Sequence, residues 1–279
     1  MALPSYATPL QRIWHWVFLA ICALIFLFLI SPILVIMPLS FSSEPWFTYP
    51  LPGLSTRWYD DFFTSERWQT ALFNSIFIAV SATALATSLG TLAALGLSRA
   101  NFPMRPLVMG LIISPMVVPI VITAVAMYFF YADIGLTNTY FGIILAHTAL
   151  ATPFVVITVT ATLTGFDHSL TRAASGLGAG PITVFRRVTL PLILPGLISG
   201  ALFAFVTSFD EVVVILFVGS PEQRTLPRQM FSGIREQISP TITAVATLLI
   251  IFSVCLLTTV ELLRRRSERL RGMSPQLAR

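Results

Sequence analysis

Two adjacent carboxylates, Asp210 and Glu211, lie inside a long apolar run of the sequence. A charge at the centre of a bilayer costs ~2.5–3.5 kcal/mol on insertion scales, so such residues normally face water, a solute or an ionic partner. We expect at least one of them to line a path for a cationic solute. The alternative is a hydrogen bond or ion pair between helices. Neighbouring side chains on a helix point about 100° apart, so both can face one narrow path only if the helix is broken here.

Three uncharged residues just before these carboxylates could take part in the same chemistry. Phe205 and Phe209 are one helical turn apart, and Ser208 lies between them. An aromatic pair beside a carboxylate suits an amine, because a cation is attracted to the face of an aromatic ring. The chain holds 22 phenylalanines, so packing against lipid or another helix is an equal alternative. His147, in an earlier apolar run, is expected to make a hydrogen bond between helices.

A second distinctive stretch is the basic, glycine-containing segment from Arg172 to Pro191. Its small residues favour a tight helix–turn–helix, and Pro181 suits the first turn of a helix. Pro191 and Pro195 predict a bend or break before the next long helix. Considered alone, this segment also fits an ordinary connection between two membrane spans.

The composition is that of an integral membrane protein. Of 279 residues, 56% are hydrophobic and only 10% are charged, with a mean hydropathy of +0.84. A soluble protein carries about 25% charged residues, so lipid must replace water around much of the surface. Apolar runs long enough to cross a bilayer predict six transmembrane helices: about 13–39, 71–97, 107–131, 141–163, 194–218 and 242–263.

All 17 basic residues are arginines, and their distribution predicts the orientation in the membrane. Six spans place both termini on one side, and that side also holds the Arg172–Pro191 segment. Twelve of the arginines lie there, so the positive-inside rule predicts cytoplasmic termini. The formal net charge of +5 is therefore a topological signal and does not indicate nucleic-acid binding. The other five arginines are Arg57, Arg67, Arg224, Arg228 and Arg235.

The sequence carries no motif for enzymatic chemistry. A phosphate-binding loop of the G-x-x-x-x-G-K-[ST] type needs a lysine, which the chain lacks, so ATP would have to be hydrolysed by another subunit. Neither a zinc-protease nor a serine-hydrolase motif is present, so we expect no catalytic residues and no metal site. Cys22 and Cys255 lie far apart in apolar runs and are expected to be small buried hydrophobes.

The Arg172–Pro191 segment resembles the EAA loop of binding-protein-dependent ABC importer permeases. The family pattern is Glu-Ala-Ala, three residues, Gly, nine residues, Ile, one residue and Leu-Pro. The matching positions here are Ala173, Ala174, Gly178, Leu190 and Pro191, and Val188 stands for the isoleucine. Arg172 stands at the glutamate position, so an ion pair made by that glutamate does not carry over.

The whole chain is similar to permeases of the spermidine/putrescine-type group, and most similar to the second permease subunit. Further residues that carry this resemblance are Asn74-Ser75, Asp167, Ser208-Phe209-Asp210-Glu211 and Thr225-Leu226-Pro227. The resemblance implies an all-α polytopic membrane protein with the six-helix, type I, MetI-like permease fold. It also implies a coupling loop, at about 165–192, that docks on a cytoplasmic ATPase. The implied coupling residues are Arg172, Ala173, Ala174, Gly178, Arg186, Arg187, Leu190 and Pro191.

The resemblance implies a multi-subunit importer in the inner membrane. Its partners would be a second permease subunit forming a heterodimer, two ATPase subunits that bind ATP and magnesium, and an extracytoplasmic solute-binding protein. This chain would bind no cofactor itself. The expected solute is a polyamine or related amine, and the alternatives are γ-aminobutyrate, an opine or an aminophosphonate. A stand-alone carrier or channel is a rival function, but the halves show no inverted repeat.

We expect three regions along the chain. Residues 1–69 would form the first span and an extracytoplasmic loop, and residues 70–263 the permease core. Residues 264–279 would form a basic cytoplasmic tail.

Overall fold

The computed structural model describes residues 8–98, 103–236 and 238–270, and these residues form helices and loops without a β-strand. Arg99, one of the twelve arginines counted above on the side of the termini, and the tail from Arg271 onward lie outside the described residues. The helices are α1 (Pro9–Leu39), α2 (Arg57–Thr64), α3 (Glu66–Leu97), α4 (Arg105–Val117), α5 (Ile120–Asp133), α6 (Tyr140–Thr164), α7 (Ser169–Gly176), α8 (Pro181–Val184), α9 (Leu190–Phe209), α10 (Val213–Val218), α11 (Leu226–Glu236) and α12 (Pro240–Leu270).

Within the described residues, five helical segments are long and apolar enough to cross a membrane. They are α1, α3, α6, the continuous stretch Pro181–Phe209, and Pro240–Thr258 of α12. Helices α4 and α5 make a sixth span if the pair counts as one. The all-helical prediction is confirmed, and the predicted count of six spans is met when α4 and α5 are counted as one span in two pieces.

The third predicted span is sharply broken. Helices α4 and α5 meet at an angle of 105°. Val118 precedes Pro119 and takes an extended conformation, with φ −72° and ψ 132°. A residue before proline is pushed out of the helical region because the proline ring clashes with it. The sequence predicted a kinked but single helix here.

The fifth span also differs from its prediction, at both ends. Helix continues without a break from Pro181 to Phe209, passing through a π-helical turn at Phe185–Thr189. The sequence predicted a bend or break at Pro191 and Pro195, but Pro191 lies in the first turn of α9 and Pro195 lies inside it, so the helix is not broken there. The break comes instead after Phe209, and the short helix α10 follows it.

The chain divides into two compact units, one of which is the continuous segment Ser65–Arg235. Its centre is the packing of α3, α6 and α9. The buried face of α3 is rich in small residues: Ala79, Ala82, Ala86, Gly90 and Ala94. Small residues let membrane helices approach closely, as the composition of this span predicted.

Three glycines mark the closest approaches between these helices. A Cβ at Gly90 of α3 would lie 2.8 Å from the Val155 Cβ of α6, and one at Gly200 of α9 would lie 3.0 Å from the Val155 Cα. A Cβ at Gly196 would overlap the Thr162 hydroxyl. The backbones of α3 and α9 therefore both press on α6 at positions where no side chain fits.

The other unit comprises Met1–Thr64 and Glu236–Arg279, of which the structure describes residues 8–64, 236 and 238–270. Helix α1 has no buried residue. Helix α2 is amphipathic and buries Phe62. The Thr241 hydroxyl of α12 donates a 2.7 Å hydrogen bond to the Asp61 carboxylate, which joins α12 to α2.

Candidate functional site

The break after α9 gives the two adjacent carboxylates different environments. Asp210 ends α9, is exposed, and has no hydrogen-bond or ion-pair partner among the residues that the structure describes. Glu211 is half-buried, and its Oε1 accepts a 2.9 Å hydrogen bond from the Val214 backbone N–H. Glu211 is therefore bound to the start of α10, whereas the Asp210 carboxylate is available to a solute or another subunit.

The helix ends at the break carry partial charges that act on these carboxylates. The C-terminus of a helix is partly negative and its N-terminus partly positive. Glu211 is favourably placed, because it lies at the N-terminus of α10. Asp210 lies at the C-terminus of α9, where the last turn contains no basic residue. Asp210 thus adds a full negative charge to a negative helix end, and the result is a site attractive to a cation.

The other predicted path residues lie on the last two turns of α9. Phe205 and Phe209 are stacked, with ring centroids 5.6 Å apart and planes inclined by 24°, and both are half-buried. Ser208 is buried, and its hydroxyl makes a 2.8 Å hydrogen bond with Nδ1 of His147 on α6. Ser208 therefore holds α9 to α6. A role in the path stays a prediction for Ser208 and for the two phenylalanines.

His147 forms the interhelical hydrogen bond that its place in the sequence suggested. The side chain is fully buried, and Nε2 has no partner within the described residues.

The far end of α10 is held by an arginine that the sequence did not single out. Nη1 of Arg228, on α11, donates to the carbonyl oxygens of Ile215, Gly219 and Ser220 at 3.1, 3.2 and 2.9 Å. Burial, and then the positive charge of Arg224, lower the pKa of the Arg228 guanidinium. Arginine nonetheless stays protonated at neutral pH, so this is a cation at a helix C-terminus.

The loop between α10 and α11 is fixed by hydrogen bonds to distant elements. Nδ2 of Asn74, in the third turn of α3, donates to the carbonyls of Glu222 and Arg224, both at 2.9 Å. The Tyr140 hydroxyl donates to the Asn74 Oδ1 at 2.8 Å. The Leu226 N–H donates to the Ser75 hydroxyl at 2.7 Å. Asn74 and Ser75 therefore bond to a loop about 150 residues away, which no local pattern reveals.

Helix α7, in the coupling loop, ends in a Schellman motif. The Ala179 N–H donates to the Ala174 carbonyl, and the Gly178 N–H donates to the Ser175 carbonyl. Gly178 has φ +85°, a left-handed conformation that strongly favours glycine. The glycine of the Ala-Ala-x-x-x-Gly spacing is thus the residue that stops α7 and turns the chain towards α8.

The coupling loop presents apolar and basic side chains at its surface. Leu177 is 89% exposed and Ile182 is 75% exposed. A cleft of about 340 Å³ is lined by Ile182, Thr183, Arg186 and Arg187. Among the other predicted coupling residues, Ala174 and Leu190 are half-buried, while the rest are exposed: Arg172, Ala173, Gly178 and Pro191.

Asp167 orders the start of α7. Its carboxylate accepts 2.6 and 2.8 Å hydrogen bonds from the hydroxyl and backbone N–H of Ser169. These bonds, the hydroxyl first, hold the pKa of Asp167 below its ordinary value, and the positive charge of Arg172 adds to the effect.

Comparison with known proteins supplies the family. Residues 86–271 match the model of the binding-protein-dependent transport system inner membrane component. The chain belongs to this family. It is a transporter permease and not an enzyme, and it is a multi-pass protein of the inner membrane.

Relatives of this permease are similar over most of their length. The spermidine/putrescine transport system permease protein PotC of Haemophilus influenzae is 32% identical over 244 residues, which cover 88% of this chain and 95% of that protein. The putrescine transport system permease protein PotI of Escherichia coli is 36% identical over 236 residues, covering 81% of this chain and 82% of the relative.

Solved structures support the same fold. A chain of a bacterial ABC transporter involved in the import of the acidic polysaccharide alginate superimposes with a TM-score of 0.75 at 17% identity. The match covers 94% of this chain and 99% of that chain. The family match and the two relatives, rather than this structural likeness, show that the permease is the membrane-spanning subunit of an ATP-driven, binding-protein-dependent importer.

Proposed function

We propose that this permease imports a small organic cation of the polyamine class and that Asp210 lines its path. The observation that carries the proposal is the free carboxylate of Asp210 at the broken, partly negative end of α9. A charged side chain within a membrane-spanning region is costly unless it faces water or a partner, and a passing cation would supply that partner. The relatives named for putrescine and spermidine transport are consistent with such a solute.

The energy available at this carboxylate is adequate for a transient binding site. Two unit charges ~4 Å apart attract by about 4 kcal/mol at an effective dielectric constant near 20, before desolvation is subtracted. The stacked rings of Phe205 and Phe209 would add a cation–π contact of about 0.5–2 kcal/mol. The resulting site would attract an amine while still allowing it to leave.

Glu211 has a different role in this proposal. Its carboxylate already accepts the Val214 N–H, so it stabilises the start of α10. Of the two adjacent acids, Asp210 is therefore the one that meets the solute.

The coupling loop would transmit ATP hydrolysis to this path. The exposed Leu177 and Ile182 would fit a cleft of a cytoplasmic ATPase, with Arg186 and Arg187 beside them. Arg172 replaces the glutamate of the family pattern, so we expect it to meet an acidic residue of that ATPase. ATP and magnesium would be bound by two such ATPase subunits. This assignment needs a cytoplasmic loop and cytoplasmic termini, in agreement with the arginine distribution.

The complete importer would contain this permease, a second permease subunit, the two ATPases and an extracytoplasmic solute-binding protein. The test uses membrane vesicles that carry this complete complex. Labelled putrescine, spermidine and γ-aminobutyrate are offered separately, with and without ATP. We expect ATP-dependent uptake of the two polyamines and little uptake of γ-aminobutyrate. Preferential uptake of γ-aminobutyrate would replace the polyamine assignment, and uptake without ATP would favour a stand-alone carrier.

A further inference from the structure

We propose that Arg228 is a positioning residue for transport: it holds α10 and thereby fixes the break at which Asp210 meets the solute. This inference rests on the proposed role of Asp210. Arg228 itself lies on α11, beyond the loop that follows α10, and would not touch the solute.

Helix α10 needs outside support because it is only six residues long. Isolated helices shorter than about 12 residues are marginally stable in water, because a whole turn must be ordered before the first backbone hydrogen bond forms. The support comes in part from Val214, Ile215 and Val218, which are fully buried in a core with residues of α5 and α6. These contacts hold one face of α10 but leave its polar ends to be satisfied separately.

Charged side chains satisfy both ends. Glu211 accepts the Val214 N–H at the N-terminus, and Arg228 donates to three carbonyls at the C-terminus. Each charge has the sign that the helix end favours. Three carbonyl oxygens converge on one guanidinium nitrogen, so a shorter or uncharged side chain at position 228 would leave helix-end carbonyls unpaired.

The position of α10 determines the geometry of the break. Only Asp210, Glu211 and Val212 separate α9 from α10. On the α9 side, the hydrogen bond between Ser208 and His147 anchors the last turn to α6. On the α10 side, Arg228 is the charged anchor. A loosened α10 would therefore change how the three linking residues are held, including the direction of the Asp210 carboxylate.

The experiment is a double-mutant cycle in membrane vesicles carrying the complete transport complex. Initial uptake of labelled putrescine, per permease in the membrane, is measured for the parent, Arg228→Gln, Asp210→Asn and the double variant. Arg228→Lys is a milder change that keeps the charge but replaces the planar guanidinium by a compact ammonium on a flexible stem. Arg235→Gln is the matched control, because Arg235 is exposed on the same helix and stacks only on Phe231.

We expect Arg228→Gln to lower uptake about tenfold in the parent and less than about twofold when Asp210 is already Asn, because residues that act through one site are not additive. Uptake by Arg228→Lys should lie between that of the parent and that of Arg228→Gln, and uptake by Arg235→Gln should equal that of the parent. An equal loss in both backgrounds, or parental uptake by Arg228→Gln, overturns the inference. Parental uptake by Asp210→Asn instead overturns the proposed function.

A second measurement reports how the break between α9 and α10 is held and does not depend on transport. Val212→Cys is introduced into a chain whose Cys22 and Cys255 are replaced by Ala, and its rate of reaction with a small thiol reagent is compared with and without Arg228→Gln. We expect the rate to change several-fold with Arg228→Gln and to stay unchanged with Arg235→Gln. An unchanged rate in both variants would show that Arg228 does not hold the break, even if uptake falls.

Discussion

The coupling loop and the break after α9 are both short interruptions of helix, but they are held in opposite ways. In the loop, hydrogen bonds join near neighbours, such as Ala179 to Ala174. Around the break, the bonds reach far along the chain: Arg228 lies 13 residues from Ile215, and His147 lies 61 residues from Ser208. The loop can therefore keep its local form while a partner contacts it, whereas the break depends on the packing of the whole helical unit.

The exposure of the two regions follows the same division. The loop carries its apolar side chains outward, as Leu177 and Ile182 show. The region of the break buries its polar anchors, including His147, Ser208 and Asn74, and leaves Asp210 exposed. The comparison implies that mutations in the loop should impair coupling with little loss of stability. Mutations among the anchors of the break should reduce stability first.

The largest effect is expected at Asn74, a fully buried anchor whose side chain makes three hydrogen bonds. Asn74→Ala removes three part-buried hydrogen bonds, two to the carbonyls of Glu222 and Arg224 and one to the hydroxyl of Tyr140. We expect the free energy of unfolding to fall by about 3 kcal/mol. The measurement is unfolding of the purified permease complex in detergent. The control is Ser88→Ala on the same helix, because the Ser88 hydroxyl bonds only to the local Ala84 carbonyl. Equal stability of the two variants would contradict the long-range account.

A smaller effect on stability, but a clear one on coupling, is expected at Gly178. Gly178→Ala forces a residue with a Cβ into φ +85°, which costs about 1–2 kcal/mol locally, although no other atom lies within 4 Å of the new Cβ. Gly176→Ala, two residues earlier and without a positive φ, should disturb the loop less. The readout is putrescine taken up per ATP hydrolysed. A ratio reduced equally by the two substitutions would remove the turn from the coupling mechanism.

The smallest effect is expected at Asp167, where the parent protein should lose local order only in acid. Because the folded-state pKa of Asp167 is lowered, its stabilisation of the α7 start is present above the ordinary value of 3.8 and is lost as the pH falls through the lowered value. Hydrogen exchange of the first α7 amides should therefore be constant between about pH 5 and 8, once corrected for intrinsic rates, and rise in stronger acid. Asp167→Asn should exchange faster throughout the neutral range. Identical profiles for the two proteins would show that the carboxylate does not order this end.

The sequence predicted the features that depend on composition and short spacing. Apolar runs located the spans, small residues indicated that α3 is central, and the Ala-Ala-x-x-x-Gly spacing located a loop whose glycine ends a helix. Each of these signals lies within one element. The two adjacent acids also raised the possibility of a broken helix, because they could not otherwise share a face.

The remaining features depend on contacts that a linear pattern does not contain. Pro119 fixes the extended Val118 and bends the third span by 105°, whereas Pro195 lies within a continuous helix. Proline alone therefore did not distinguish a break from a tolerated position. The different roles of Asp210 and Glu211 depend on where α10 begins, because only Glu211 bonds to its first turn. The importance of Arg228 follows from where α10 ends, and in the sequence it is one loop arginine among five.

The most direct test of the account compares the two adjacent acids in vesicles that carry the complete complex. Initial putrescine uptake and ATP hydrolysis are measured for Asp210→Asn and Glu211→Gln beside the parent. We expect Asp210→Asn to lower uptake at least about tenfold, equivalent to about 1.4 kcal/mol, with the complex still assembled. Glu211→Gln should lose less, because the glutamine oxygen can still accept the Val214 N–H. Parental uptake by Asp210→Asn, or a larger loss in Glu211→Gln, would contradict the assignment of Asp210 to the solute path.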